Sequence, residues 1–281
     1  MAKSSTLTVQ AAALSVAIFI AFIALWHVAT RGTVAVSGMS AEYAALMGAT
    51  ATKGASSMPG PVEVGSQLWK HVQKPFYDNG PNDRGIGIQL AYSLARVLTG
   101  FLLAMAVAIP LGFMIGMSPL LSRAFDPFIQ ILKPISPLAW MPLALYTIKD
   151  SATSAIFVIF ICAIWPTLLN TAFGVANIRK EWLNVVRTLQ IGALRRAYAI
   201  ILPAAAPMIF TGMRISIGIA WLVIVAAEML VGGTGLGYFV WNEWNNMSIT
   251  NVIVAILIIG VVGMLFDQLL ARCTALVSYA E

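Results

Sequence analysis

The sequence predicts an all-α, polytopic membrane protein of about six transmembrane helices, and three observations predict it. Of its 281 residues 59% are hydrophobic and only 10% charged, and its mean hydropathy of +0.86 is too apolar for the water-covered surface of a soluble domain. Apolar runs of about 18 residues or more recur, each long enough at ~1.5 Å per residue to cross a hydrocarbon core of roughly 30 Å. The alternating segments of about 10 residues that a transmembrane barrel requires are missing. A helix closes its own backbone hydrogen bonds, so such runs in lipid are helical.

The first run, Val9 to Ala29, follows a polar start bearing Lys3 and exceeds the ~7–15 residues of a signal-peptide core, so it is expected to remain as a helix. Trp26 and His27 suit its far interface. From Thr30 to Gln89 the chain turns polar, with Gly54, Pro59, Gly60 and Pro61 ahead of the turn-rich string PFYDNGPNDRGIG. Within it Val62, Leu68, Val72 and Phe76 recur at roughly helical spacing, which reads either as a short interfacial helix disturbed at Pro75 or as an ordered loop.

Spans at Leu90 to Met117, Lys133 to Ile148 and Ser151 to Gly174 follow. The string KPISPLAWMP sets Pro134, Pro137 and Pro142 in the third span, which should be bent, short or partly non-helical. Irregular backbone at membrane depth is tolerated only against protein or a water-filled cavity, so this span is a candidate pathway wall. Pro166 is expected to kink the fourth span. The fifth runs from Ala204 to Leu230 and, after VGGTGLG and YFVWNEWNNMSIT, the last from Asn251 to Ala271. The expected organisation is an N-terminal helix over 1–29, an outer segment over 30–89, and a five-helix core over 90–281 with a cytoplasmic loop at 175–203.

A net charge of +6 does not mark a nucleic-acid binder, because the basic residues are scattered through loops instead of forming a stripe. Topology accounts for them. Arg179, Lys180, Arg187, Arg195 and Arg196 between spans four and five, Arg123 in the turn after span two, and Lys3 and Arg272 at the termini share one side of a six-span protein. Short loops rich in Lys and Arg are cytoplasmic, so both termini are expected inside. Cys162 lies within a span and Cys273 beside the last one, which argues against a structural disulfide.

Enzyme chemistry finds no footing. A Walker A string is absent, Gly233, Gly235 and Gly237 have the wrong spacing for a dinucleotide turn, and His27 and His71 lack ligand-spaced partners. No catalytic residue, metal or resident cofactor is expected. Ionisable residues inside spans are costly, which makes Arg96, Arg214, Glu228 and Asp267 the functional candidates. The topology sets Arg96 and Glu228 toward the outer surface and Arg214 and Asp267 toward the inner one; each couple forms an ion pair, or each residue snorkels to its own interface. In the cytoplasmic loop Val185, Val186, Leu189 and Ile191 interleave with Arg187, Arg195 and Arg196. That pattern reads as a helix lying on the membrane face, a handle for a partner, or as a merely amphipathic basic loop.

The loop ends on Ile200, Leu202 and Pro203, with Pro207 completing an LPxxxP spacing, and this ending resembles the EAA motif of ABC importer permeases of the type I fold. The block FTGMRISIGIAWLVIVAAEMLVGGTGLGYFVWNEWNN resembles the nitrate, sulfonate and taurine branch, and its WNEWN ending looks closest to nitrate-type permeases. SLARVLTGF, IPLGFMIG and PFYDNGPNDRGIG are similar to the same branch, and the resemblance runs from Pro59 to the C-terminus. Gln190 stands at the family's glycine position, Asn184, Val185 and Val186 stand at its EAA triplet, and Gly192 is the neighbour able to take a positive φ.

The resemblance implies two permease copies, expected as a homodimer, two ABC ATPase subunits that bind ATP and Mg, and a periplasmic binding protein that delivers a small oxyanion. Nitrate or nitrite leads, with bicarbonate, cyanate, sulfonate or taurine behind, carried by alternating access. ATPase coupling would fall on Asn184, Val186, Arg187, Leu189, Gln190, Ile191, Gly192 and Ala193. An oxyanion pathway favours Arg214 over an exposed carboxylate, with Trp140, Met141, Trp221 and Glu228 beside it, although aromatics in spans also serve as packing. Trp241 and Trp244 flank Glu243 and either anchor at the interface or dock the binding protein. An autonomous carrier would show inverted repeats, and the sequence shows none.

Overall fold

The computed structural model describes residues 2–30, 58–80, 82–179, 181, 188, 190 and 192–277. In order these form α1 (Ala2–Thr30), α2 (Pro61–Gln73), α3 (Ile86–Met117), α4 (Pro119–Leu132), α5 (Pro137–Ile148), α6 (Ser151–Ala176), α7 (Ala193–Arg196), a π-turn at Ala197–Ile201, α8 (Leu202–Val231), α9 (Leu236–Asn245) and α10 (Ile249–Val277). Among the described residues five helical stretches are long and apolar enough to cross a membrane, and α4 with α5, bent by 90°, makes a sixth if counted as one span.

Several boundaries differ from the sequence reading. Arg123 lies in α4, not in a turn, because Ser118 accepts a hydrogen bond from the Leu121 N–H and Pro119 fits the first helical turn. The third span is therefore two helices with the break just ahead of Pro137, where neither Pro134 nor Pro137 has an N–H to continue the ladder. α3 begins at Ile86, a turn before Leu90, because the Gly85 carbonyl already accepts from Ile88 and Gln89. The fifth span reaches back past Ala204: the Leu202 N–H bonds the Ala197 carbonyl five residues earlier, and this widened turn carries the helix into Pro203. α6 runs unbroken through Pro166.

Two compact units result, one of Met1–Lys74 with Glu243–Val254 and one of Pro75–Asn242 with Ala255–Glu281. In the first, none of the apolar stretch of α1 is buried. α2 is the amphipathic helix that the spacing allowed, burying Val64 while Val62, Trp69 and Val72 stay exposed. Glu63 accepts from the Thr250 hydroxyl at 2.8 Å, and the His71 Nε2 and Asn251 Oδ1 atoms lie 3.1 Å apart.

The second unit is built around α6, which packs along α3 on one side and α8 on the other. Small residues set the approach, as membrane helices lacking a hydrophobic drive require. A Cβ at Gly112 would sit 2.6 Å from the Leu168 carbonyl oxygen, and one at Gly212 would sit 2.9 Å from the Thr167 Cα. Beside Gly212 the Ser216 hydroxyl donates to the Ala163 carbonyl at 2.6 Å. Its one proton being used there, Ser216 Oγ must accept from the Thr167 hydroxyl at 2.8 Å. This buried pair serves a carbonyl in the turn that Pro166 disturbs.

Candidate functional site

Gln89, Ser93 and Arg96 fall at i, i+4 and i+7 of α3 and so share one face. That face meets the end of α8 and the glycine-rich loop after it. Ser93 Oγ lies 3.0 and 2.8 Å from the two carboxylate oxygens of Glu228, Arg96 Nη1 donates to Glu228 Oε1 at 2.7 Å, and the Gly237 N–H donates to Glu228 Oε2 at 3.0 Å. Gln89 Oε1 accepts from the Gly235 N–H at 2.6 Å, and Ser93 Oγ accepts from the Leu236 N–H at 2.9 Å. Arg96 Nη1 also reaches the Thr234 carbonyl at 2.6 Å, while Arg84 Nη1 donates to the Thr234 hydroxyl at 2.6 Å.

The result is a closed polar cage. Gln89, Ser93 and Glu228 are 1%, 0% and 2% exposed. The carboxylate takes a helix-capping place at the start of α9, accepting one of the backbone N–H groups that no intrahelical carbonyl can serve. The loop must wrap it closely, so a Cβ at Gly235, where φ is +156°, would collide with the Glu228 carboxylate. α9 is held from its other side as well, Tyr238 donating to Asn82 Oδ1 at 2.8 Å and Asn242 Nδ2 to the Asn82 carbonyl at 3.3 Å.

The second couple is built differently. Arg214 Nε and Nη2 donate to Asp267 Oδ1 and Oδ2 at 2.5 and 2.6 Å, a bidentate pair with side chains 45% and 53% exposed. Nearby, Trp221 is 4% exposed, donates Nε1–H to the Ile259 carbonyl at 3.0 Å and meets Phe266 edge-on at 5.6 Å. It packs α8 against α10.

The residues expected on a pathway wall therefore part company. Arg214 is exposed, and Trp140 lines a cavity at the break between α4 and α5. Met141, Trp221 and Glu228 are instead enclosed at 1%, 4% and 2% exposure. Of the coupling residues, Asn184, Val186, Arg187, Leu189 and Ile191 lie outside the described residues, as does the side chain of Ala193. The left-handed turn expected at Gly192 falls at Gln190, with φ +48°. Trp241 and Trp244 stand 45% and 60% exposed on α9. Gln89, Ser93, Arg84 and Thr234 were not singled out from the sequence. The three-residue polar stripe on an otherwise apolar α3 was the signal that could have found the first two.

Residues 108–276 match the family described as "Binding-protein-dependent transport system inner membrane component". The nitrate import permease protein NrtB of Synechocystis sp. is 46% identical over 226 residues, covering 80% of this chain and 82% of that protein. The bicarbonate transport system permease protein CmpB of the same organism is 41% identical over 220 residues, covering 76% and 79%. Among solved structures, an inward-facing MetNI methionine ABC transporter chain superposes with a TM-score of 0.60 at 16% identity, covering 68% of this chain and 95% of that one, a likeness of fold.

Proposed function

Because the chain belongs to the family of inner membrane components of binding-protein-dependent transport systems, we propose that it is the permease of an ATP-driven importer that moves nitrate or nitrite by alternating access. The carrying observation is the sequence similarity to permeases named for nitrate import, above that to permeases named for bicarbonate. Bicarbonate is the second reading, because both are small planar oxyanions and the relatives named for each lie within a few per cent of one another.

In this reading two copies of the chain enclose the pathway, and both termini and the loop at 175–203 lie inside the cell. Two ATPase subunits hold ATP and Mg and receive the loop. An external binding protein supplies the anion. A handle of this kind needs a sharp turn, and the left-handed Gln190 supports one at the position where the family carries glycine. ATP closure shifts a two-state equilibrium only as far as its differential affinity for the two states allows.

The test is purification from native membranes in mild detergent, followed by uptake into liposomes. An ATPase that co-purifies, and nitrate uptake that needs both ATP and the binding protein, are the expected results. Uptake by the chain alone without ATP overturns the reading, and bicarbonate uptake without nitrate uptake selects the second one.

A further inference from the structure

The break between α4 and α5 opens a cavity of about 280 Å³, several times the ~30 Å³ that one water occupies in the liquid. One wall is the break itself, with Lys133, Ser136 and Trp140. Its lining also includes Cys162 and Trp165 of α6 and Ile219 of α8. Cys162 and Trp165 belong to the central turns of α6, whose ends are Ser151 and Ala176, so the cavity lies at mid-depth of the bundle.

Three features give it a chemical sign. Lys133 is its cation, and no aspartate or glutamate is among its described lining residues. The Ser136 hydroxyl accepts no cap bond from α5, and whatever its oxygen accepts, its O–H remains a donor. Trp140 and Trp165 are half-buried, indoles that combine apolar bulk with an N–H donor. A lysine at mid-depth is costly unless it faces water or a counter-charge. Broken helices at the midplane are where transporters hold cargo, since backbone freed by the break needs partners.

We propose that this cavity is a way-station for the anion inside the permease, with the Lys133 ammonium as counter-charge and Ser136 and the two indoles as neutral donors. The site takes a small monovalent oxyanion and rejects cations. It rests on the importer reading above and adds the place in this chain where the cargo pauses.

The assembled transporter in liposomes tests it, reading nitrate uptake and binding-protein-stimulated ATP hydrolysis together. Lys133→Gln is expected to lower uptake about tenfold while ATP hydrolysis stays stimulated, and Lys133→Arg to stay within about twofold of wild type. Moving the cation by Lys133→Gln with Ser136→Lys should recover part of the loss, which a packing role for Lys133 would not allow. Ser136→Asp keeps Lys133 and sets a carboxylate in the cavity; it should block uptake in an assembled complex. Normal uptake by either Lys133→Gln or Ser136→Asp overturns the proposal while the importer reading stands. Absence of oxyanion uptake by the wild-type complex removes both.

Discussion

The two arginine–carboxylate pairs have the same chemistry and opposite settings. Arg96 and Glu228 are 15% and 2% exposed and share their polar atoms with Ser93, Thr234 and Gly237. Arg214 and Asp267 are 45% and 53% exposed and bond bidentately to each other. A pair woven into backbone cannot exchange partners without orphaning several buried groups, whereas an exposed one can. The first is an anchor for the loop and α9, and the second is the pair free to change partner.

Removing the buried carboxylate should break this contrast most severely. Glu228→Ala removes the counter-charge of Arg96 and the acceptor of the Gly237 N–H, and a loss of about 3–5 kcal/mol is expected for a buried pair stripped of one partner. A melting curve in detergent reads it, and a midpoint equal to wild type would mean that the cage carries no stability. Exchanging Arg96→Glu with Glu228→Arg should not rescue, because an arginine at 228 cannot accept from the Gly237 N–H. Next comes Gly235→Ala. It adds roughly 1–3 kcal/mol of backbone strain and drives a methyl into the carboxylate, so its melting point should fall nearly as far. Ser93→Ala removes one donor and one acceptor from the cage and should cost about 1–3 kcal/mol.

The exposed pair should answer differently. Asp267→Asn is expected to leave the melting point within error yet alter uptake, and exchanging Arg214→Asp with Asp267→Arg should restore most of any lost uptake, since the contact is a direct bidentate one between these two side chains. An outer exchange that rescued and an inner one that did not would reverse the assignment of anchor and mobile pair.

What could be read from the sequence follows the range of the forces involved. Spans are written in local apolar length, so five helices and the broken sixth were legible. Arg96 and Glu228 were legible as costly charges near the same depth, but whether they paired or snorkelled separately stayed open in the sequence, and only the fold brings them together. Gln89 and Ser93 escaped notice because a neutral polar residue in a span costs little enough to pass unremarked, and only the fold reveals that both serve the loop after α8. Burial of Met141 and Trp221 was equally hidden: an apolar side chain reads the same from sequence whether it lines a passage or fills a core. In the third span the proline string pointed to the disturbance, but the separate helix that precedes it, capped by Ser118, was not read from the sequence.

The smallest effect is expected at a third carboxylate, which caps a helix in the open. Asp150 accepts from the Thr153 hydroxyl at 2.6 Å and from its N–H at 2.7 Å at the start of α6, doing exposed what Glu228 does enclosed. The Thr153 hydroxyl first, and its N–H second, hold the Asp150 carboxyl below the usual aspartate range. A folded value below the unfolded one means that the stabilisation is complete above the unfolded pKa of ~3.9 and is lost as pH falls through the folded value. The melting-point gap between wild type and Asp150→Ala should therefore be constant near neutrality and close on acidification below about pH 4. The gap between wild type and Ser216→Ala, whose partners Thr167 and the Ala163 carbonyl do not titrate, serves as the reference in the same series. If the Asp150→Ala gap persisted unchanged into acid, the Thr153 contacts would be equally strong to the protonated acid, and the charge of this cap would contribute nothing.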